Sequence, residues 1–236
     1  MVESRFVFVC NEMRSPPDAA AVRRFQRRLL AWYRASGRKL PWRRTRDPYR
    51  ILVSEVMLQQ TQVDRVKGFY RRFVRQYPSF DHLAAAAEPQ VREAWDGLGY
   101  YARARNLQRT ARIVVQEHGG RLPEDRQTIR QLPGIGRYTA GAVLSIAFGQ
   151  DEPVVDTNAA RVLRRWFGVR PRRGPAALQR RLWDLAAHVT PPGAAGDFNQ
   201  AIMDLGATIC QARRADCPRC PVRVGCAHRA ALAARR

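Results

Sequence analysis

The chain has 236 residues, 45% of them hydrophobic, which is enough to bury a core and argues against wholesale disorder. Its 42 Lys and Arg residues outnumber 20 Asp and Glu residues, and the net charge of +22 predicts a polyanionic partner, with nucleic acid ahead of a membrane surface. The apolar runs are too short for a membrane span or a signal-peptide core, so we expect a cytoplasmic protein with no membrane association.

The first half of the chain predicts helix after helix. Residues 1–17 predict a flexible leader, and apolar residues at helical spacing predict an amphipathic helix over residues 18–36. Gly and Pro residues then separate short segments with the same spacing. The expected helices up to residue 150 span residues 51–63, 66–77, 81–87, 89–95, 103–118, 128–132 and 137–148.

The second half continues in the same way. Helices are expected over residues 156–167, near 176–189 and over 197–207, with an Arg-rich loop over residues 168–175. A cysteine-rich loop and an Ala/Arg tail over residues 231–236 follow. Because the sequence has no convincing strand pattern and no repeat of fixed period, we expect an all-α fold.

Four cysteines lie close together near the end of the chain, spaced C-x6-C-x2-C-x5-C. Disulfides are not expected in a reducing compartment, and four unligated thiols in an Arg-rich loop would reduce solubility. Zinc and a [4Fe–4S] cluster both accept four cysteine ligands, and the spacing alone leaves both open. The predicted metal ligands are Cys210, Cys217, Cys220 and Cys226.

A short glycine-containing turn precedes the helix expected at residue 137. Gly134 and Gly136 flank Ile135, which we expect to pack inward, and they would let the backbone turn tightly and approach a ligand. The free N–H groups at the helix N-terminus can hold a phosphate, and Arg137 adds positive charge. Although such a turn alone is weak evidence, in this helical and basic context it predicts binding to the DNA backbone.

Two acids stand in apolar surroundings. Glu55 lies within a run of aliphatic residues, where burial would raise its pKa and suit it to general acid or base catalysis. A buried ion pair with an arginine is the structural alternative. Asp156 follows Val154 and Val155 at the start of a helix, where it could be a simple N-cap.

Together these segments resemble the helix-hairpin-helix DNA glycosylase superfamily, and within it the MutY-type adenine glycosylases. The resemblance covers about residues 20 to 228. The segments that carry it are LPWR (40–43), SEVMLQQTQV (54–63), GLGYYARARNL (97–107), the hairpin LPGIGRYTAG (132–141), VDTN (155–158), FNQ (198–200), MDLGA (203–207) and the cysteine loop.

The resemblance implies a two-lobed architecture. A six-helix lobe would span residues 41–150 and carry the helix-hairpin-helix at residues 128–148. A second lobe would combine residues 18–40 with residues 151–230 and hold a [4Fe–4S] cluster on the four cysteines. Double-stranded DNA containing a mismatch or lesion would lie in the cleft between the lobes. We expect the protein to bind it as a monomer and not to associate with a membrane.

The resemblance also implies roles for individual residues. Glu55 would protonate the departing base, at N7 if it is adenine, and then help to activate water. Asp156 would stabilise the oxocarbenium-like sugar by its charge or through a covalent intermediate. Tyr138 and Asn158 would support that site. The DNA-binding residues would be Gln60 and Tyr100 as wedges in the base stack, Trp42, Arg43, Leu58 and Val63 around the extruded base, and Gly134, Gly136 and Arg137 on the backbone.

Tyr138 bears on the reaction type. Relatives that also cut the strand use a lysine at this position to form a Schiff base, and this chain has none nearby. We therefore expect base removal with weak or no strand cleavage, as part of base excision repair.

Two features leave the excised base open. The sequence ends just after the cysteine loop, whereas MutY proteins usually continue into a domain that recognises oxidised guanine. Tyr138 and the segment TRDPY (45–49) are also similar to those of short thymine glycosylases that act on T·G mismatches. Adenine opposite guanine or oxidised guanine is our first prediction, and thymine or another damaged base is the alternative. A non-catalytic iron–sulfur protein that binds DNA is a further alternative.

Overall fold

The computed structural model describes residues 17–170 and 174–234. Within these residues twelve α-helices and one 3-10 turn form the fold, and β structure is limited to an isolated bridge between Cys210 and Ala215. The predicted all-α class is confirmed for this part of the chain. The expected leader lies outside the described residues apart from Pro17. No helix among the described residues is both long and apolar enough to cross a membrane.

A first group of helices encloses one hydrophobic core. Its largest fully buried side chains include Phe73 and Trp95, whose rings meet edge to face at 5.6 Å. The group consists of a 3-10 turn (Pro41–Arg44), α2 (Pro48–Leu58), α3 (Val63–Gln76), α4 (Phe80–Ala85), α5 (Glu88–Ala94), α6 (Ala102–His118), α7 (Arg126–Ile129) and α8 (Arg137–Ala147). Helix α2 lies at the centre, in contact with α3, α6 and α8.

A second group encloses a separate core that uses both ends of the described chain. Phe25 on the first helix is fully buried and packs against Trp166 with a centroid distance of 4.8 Å. The group consists of α1 (Ala19–Ser36), α9 (Thr157–Phe167), α10 (Gly174–Val189), α11 (Ala195–Thr208) and α12 (Ala227–Ala233). The presence of two cores agrees with two lobes, and the predicted lobe boundaries at residues 40 and 150 stay a prediction.

The expected helix over residues 51–63 differs from the observed one at both ends. Asp47 caps α2 by accepting a hydrogen bond from the Arg50 N–H, with Pro48 at the first helical position, so the helix begins earlier. It ends at Leu58 because the backbone leaves the helical region at Gln59, with a ψ of 113°, and is left-handed at Gln60, with a φ of 56°.

The Ala/Arg tail expected over residues 231–236 also differs. Residues 231–233 belong to α12, which packs against α9. Alanine is the best helix former, so the contact stabilises a segment that is already inclined to be helical.

The connection between α8 and α9 positions Asp156, which is its last residue. Asn199 on α11 is buried, and its amide donates hydrogen bonds to Ser145 Oγ on α8 (2.9 Å) and to the Glu152 carbonyl (2.7 Å). Its side-chain oxygen accepts one from the Val154 N–H at 3.3 Å. One buried amide therefore fixes this connection against both cores, immediately before Asp156.

Candidate active site

A cleft of about 830 Å³ lies between the two cores. It is lined from the first core by α2 and α8, and from the second by the start of α9 and by α11. Nine of the predicted site residues line it, namely Trp42, Arg43, Glu55, Leu58, Gln60, Val63, Tyr138, Asp156 and Asn158. The remaining predicted DNA-binding residues, Tyr100, Gly134, Gly136 and Arg137, lie outside this lining.

Glu55 faces the cleft from the most buried helix of the fold and is only 5% exposed. Its Oε2 accepts a 2.9 Å hydrogen bond from the Tyr138 hydroxyl on α8. Burial raises the pKa of Glu55 to about 7; the hydrogen bond from Tyr138 opposes this rise, and the nearby Asp156 charge adds to it. A carboxyl group with such a pKa can give up or take a proton near neutral pH.

The ion-pair alternative for Glu55 is not what the structure contains. Arg43 is close enough to lower the pKa of Glu55, but this is the smallest of the causes. Instead, the two terminal nitrogens of Arg43 form a fork on Asp204, at 2.5 and 2.8 Å. Arg43 lines the cleft with its guanidinium bound to Asp204, and its predicted place around the extruded base stays a prediction.

Asp204 is a fully buried carboxylate on α11 that contacts two arginines of the cleft lining, Arg38 and Arg43. Besides the fork from Arg43, it accepts hydrogen bonds from the backbone N–H and the Nε of Arg38. Burial would raise the pKa of Asp204, but the hydrogen bonds and the charges of Arg43 and Arg38 together outweigh it and hold the pKa below its usual range. Asp204 on α11 thereby attaches the segment that leads into α2 to the second group of helices.

Asp156 caps helix α9, as the structural alternative expected. Its Oδ1 accepts a 2.6 Å hydrogen bond from the Ala159 N–H, and its Oδ2 accepts one of 2.9 Å from the Asn158 amide. It nevertheless lines the cleft, and its charge affects the pKa of Glu55. The capping bonds fix the carboxylate in place, so capping and a place in the site are compatible.

Arg161 supports Asn158 from the next turn of α9. Its Nη2 donates to Asn158 Oδ1 at 2.6 Å and to the Gly206 carbonyl on α11 at 2.8 Å. Its Nε donates to the Cys210 carbonyl at 2.8 Å. A continuous hydrogen-bonded path therefore runs from Asp156 through Asn158 to the backbone of the first cysteine of the loop.

The predicted hairpin lies where α7 and α8 meet. Gly134 has a left-handed φ of 78°, which favours glycine, and Ile135 is buried as expected. Gly136 differs from the prediction, since its backbone is extended and does not require glycine, although open space surrounds the position of a Cβ. The Arg137 guanidinium lies 4.0 Å from the centre of the Trp183 ring on α10, which holds it beside the hairpin.

The four cysteines of the loop line one pocket together with Arg165 and Ile209. Arg165 donates to Cys210 Sγ at 3.4 Å, and burial raises the pKa of Cys220 to about 11. No set of three or more His, Cys, Asp or Glu side chains in residues 17–170 and 174–234 is arranged to hold a metal ion.

Several residues of the site carried no role in the sequence analysis. Asp204 and Arg161 look like ordinary surface charges in the sequence, because their partners lie up to 166 positions away. Met203, whose sulfur lies 3.3 Å from the Tyr138 hydroxyl, looks like a core residue. Only the presence of Asp204 and Met203 in a quoted motif, MDLGA, could have drawn attention to them.

The fold and the cleft together define an all-helical protein with two acids, Glu55 and Asp156, in one cleft between two cores. The family model of the HhH-GPD superfamily of base excision DNA repair proteins matches residues 53–188, and the chain belongs to this family. The predicted family resemblance is therefore confirmed.

Individual relatives narrow the comparison. The chain is 47% identical to the adenine DNA glycosylase of Homo sapiens over 218 residues, which cover 89% of this chain and 40% of that protein. It is 38% identical to the thymine-DNA glycosylase of Aeropyrum pernix over 209 residues, covering 87% of this chain and 94% of that protein. Among solved structures, a thermostable thymine-DNA glycosylase superposes with a TM-score of 0.81 at 33% identity, covering 90% and 98% of the two chains.

The chain spans only part of the adenine-specific relatives. The share matched is 40% in the human protein and 58% in that of Buchnera aphidicola.

Proposed function

We propose that this protein is a DNA glycosylase that removes adenine mispaired with guanine or oxidised guanine from double-stranded DNA. The observation that carries the proposal is the placement of Glu55, with its raised pKa, in one cleft with Tyr138 and Asp156. The identity to adenine DNA glycosylases, 47% for the human protein, supports adenine as the base.

In this mechanism Glu55 acts first as an acid. It transfers its proton to N7 of the extruded adenine. The protonated base then accepts the electron pair of the breaking N-glycosidic bond and leaves as neutral adenine. Positive charge then develops on the sugar, where the Asp156 carboxylate, held by Asn158 and the start of α9, stabilises it. Water adds to C1′, and Glu55 takes up the proton that the water loses.

Three features of the protein support the binding of DNA. The net charge of +22 favours a polyanion. The open space beside Gly136 leaves room for a phosphate at the N-terminus of α8, next to Arg137. Gln60 and Tyr100 are exposed, with Tyr100 61% exposed, as expected of side chains that enter the base stack.

We also propose that Cys210, Cys217, Cys220 and Cys226 hold a [4Fe–4S] cluster. The four cysteines line one pocket, and a four-iron cluster is bound by four cysteine thiolates. The cluster would join the loop to α9, while the cleft residues carry out the chemistry.

A thymine glycosylase is the second candidate, because the chain matches a thymine-DNA glycosylase over 94% of that protein. The deciding experiment incubates the purified protein with A·G, A·oxidised-G, T·G and U·G duplexes and scores alkali-sensitive sites. Release of adenine alone supports the proposal, and release of thymine alone replaces it. Tight binding without release from any duplex would favour a non-catalytic DNA-binding protein.

Two further measurements belong to the same preparation. Trapping with borohydride tests for a Schiff base, and we expect none because Tyr138 and its surroundings in the cleft offer no lysine. Iron, acid-labile sulfide and zinc are measured in the purified protein, and zinc in place of iron would contradict the cluster.

A further inference from the structure

Two residues of the described chain combine an exposed side chain with an unusual backbone. Gln60 has a φ of 56° and Tyr100 a φ of 50°, and they are the only non-glycine residues with positive φ in residues 17–170 and 174–234. The left-handed region is unfavourable for side chains with a Cβ and persists only where surrounding contacts impose it. Contacts with other residues must therefore hold the loop that carries Gln60 and the loop that carries Tyr100.

The loop that carries Gln60 is held by Arg103 of α6. The Nη1 of Arg103 donates to the carbonyls of Met57 (2.8 Å) and Gln59 (2.5 Å), and its Nη2 donates to Thr61 Oγ1 (3.1 Å). These acceptors lie on both sides of Gln60. The carbonyls at the C-terminus of α2 lack partners within the helix and carry partial negative charge, so a cation is a suitable cap.

The same guanidinium holds the loop that carries Tyr100. The Nη2 of Arg103 donates to the carbonyls of Leu98 (3.2 Å) and Gly99 (3.0 Å), directly before Tyr100. The guanidinium carbon lies 5.5 Å from the ring centres of both Trp95 and Tyr100. Cation–π contacts therefore add to the hydrogen bonds on this side.

Arg103 is buried, and most of its hydrogen-bond acceptors are backbone carbonyls. It is only 8% exposed, and it forms no ion pair with a carboxylate in the part of the chain that the structure describes. Burying an arginine without a counter-ion is costly, and here main-chain carbonyls of two loops replace it. A planar fork can reach acceptors on both sides at once, whereas the compact ammonium of lysine cannot.

We propose that Arg103 is a positioning residue that holds Gln60 and Tyr100 as a matched pair, so that extrusion of the target base depends on it. The proposal rests on the proposed function, in which both side chains enter the DNA. Because one guanidinium sets both loops, disturbing it displaces both wedges together. Arg103 itself need not touch DNA.

The test uses the full chain with its cluster and a duplex that carries 2-aminopurine beside the target base, whose fluorescence rises when the base stack opens. Glu55→Gln is present in all proteins for this measurement, to prevent base release. We expect Arg103→Lys to reduce the fluorescence rise at saturating protein. In proteins that keep Glu55, it should reduce single-turnover base release by roughly tenfold, as expected for the loss of hydrogen bonds to a charged group. Arg112→Lys is the matched control, because Arg112 also lies on α6 and donates to a backbone carbonyl, that of Ala84. This substitution should leave both readouts unchanged.

A double-mutant cycle separates positioning from general stability. In a Gln60→Ala/Tyr100→Ala background the wedges are gone, so Arg103→Lys should have little further effect on release. An equal fold-loss in both backgrounds would mean that Arg103 only stabilises the fold, and it would overturn the inference. Unfolding temperatures of all variants accompany the rates.

A second variant covers the case in which Arg103→Lys does not fold. Thr61→Val keeps the shape of the side chain and removes one acceptor of Arg103 beside Gln60. It should lower the fluorescence rise, and that loss should vanish in the Gln60→Ala background; an unchanged rise would contradict the inference. If the wild-type protein releases no base from any duplex, the proposed function fails, while the fluorescence in the Glu55→Gln background still tests Arg103.

Discussion

The hydroxyl of Tyr138 lies 2.9 Å from Oε2 of Glu55, although 83 positions separate the two residues. The contact joins α8 to α2 at the wall of the cleft, where Glu55 is buried and Tyr138 is partly buried. Burial raises the pKa of both groups, that of Glu55 to about 7 and that of Tyr138 well above its usual value. The phenol therefore remains a hydrogen-bond donor while the carboxyl group titrates.

Glu55→Gln should abolish base release and stabilise the protein above neutral pH. Glutamine cannot transfer a proton, so we expect the single-turnover rate to fall by about 100-fold or more. The folded-state pKa of Glu55, about 7, exceeds its unfolded value of 4.5, so the wild-type protein loses stability as pH rises from 4.5 through 7. The variant avoids this loss, which is on the order of 3 kcal/mol at pH 8.

Urea unfolding of both proteins at pH 5 and pH 8 measures this stability effect. The difference between the variant and the wild type should be small at pH 5 and large at pH 8. An equal difference at both pH values would show that Glu55 does not titrate in this range.

Tyr138→Phe should shift the pH profile of base release to higher pH. The hydrogen bond from Tyr138 lowers the pKa of Glu55, so its removal raises that pKa and keeps Glu55 protonated to a higher pH. We expect the alkaline limb of the single-turnover profile to move upward, with a loss of less than about tenfold at its maximum. A limb that stays in place would assign the pH dependence to another group.

Arg161→Gln should slow base release without preventing DNA binding. It removes the hydrogen bonds that Arg161 donates to Asn158 and to the Cys210 carbonyl, so the support of Asp156 loosens. A lost bond from a charged group corresponds to roughly a 10- to 100-fold slower rate. Arg164→Gln, at an exposed position of the same helix, is the control and should retain the rate. Equal losses in the two variants would point to lost positive charge instead of lost positioning.

Gly206→Ala should disturb the site through packing alone. A Cβ at residue 206 would lie 2.6 Å from Asn158 Cβ and 2.8 Å from the Asn158 carbonyl oxygen, so α11 would have to move away from α9. We expect a destabilisation of about 1–3 kcal/mol, together with slower base release. Gly68→Ala in α3 is the matched control, because its Cβ would meet only the end of the Arg72 side chain at 3.6 Å. That substitution should be neutral or stabilising by up to about 1 kcal/mol, and chemical unfolding measures both.

Asp204→Asn should be strongly destabilising, because it leaves Arg38 and Arg43 without the buried carboxylate that both contact. Removing one partner of a buried ion pair costs about 3–5 kcal/mol. Asp64→Asn, which breaks the exposed pair with Lys67, should cost much less because solvent screens that pair. Denaturation midpoints of the two variants make the comparison, and similar values would contradict the importance of burial at Asp204.

The sequence predicted the helical class, the two acids, the hairpin and the four cysteines, because these features are local. Apolar residues recur at helical spacing, Glu55 stands among aliphatic neighbours, and the cysteines lie within one loop. The boundaries were less predictable. Residues 59–62 contain neither glycine nor proline, and only the non-helical backbone of Gln59 and Gln60 shows where α2 ends.

The tertiary structure alone decided which charges support the site. Arg103, Arg161 and Asp204 are three among many charged residues of a strongly basic chain, and nothing near them in sequence distinguishes them. Several of their partners lie far away in the chain, 44 positions from Arg103 for Gln59 and 166 positions from Asp204 for Arg38. Side-chain hydrogen bonds over such separations leave no periodic pattern in the sequence, since they depend on how the helices pack. The sequence thus determined which groups could carry out the chemistry, whereas packing of the two cores determined which groups hold them in place.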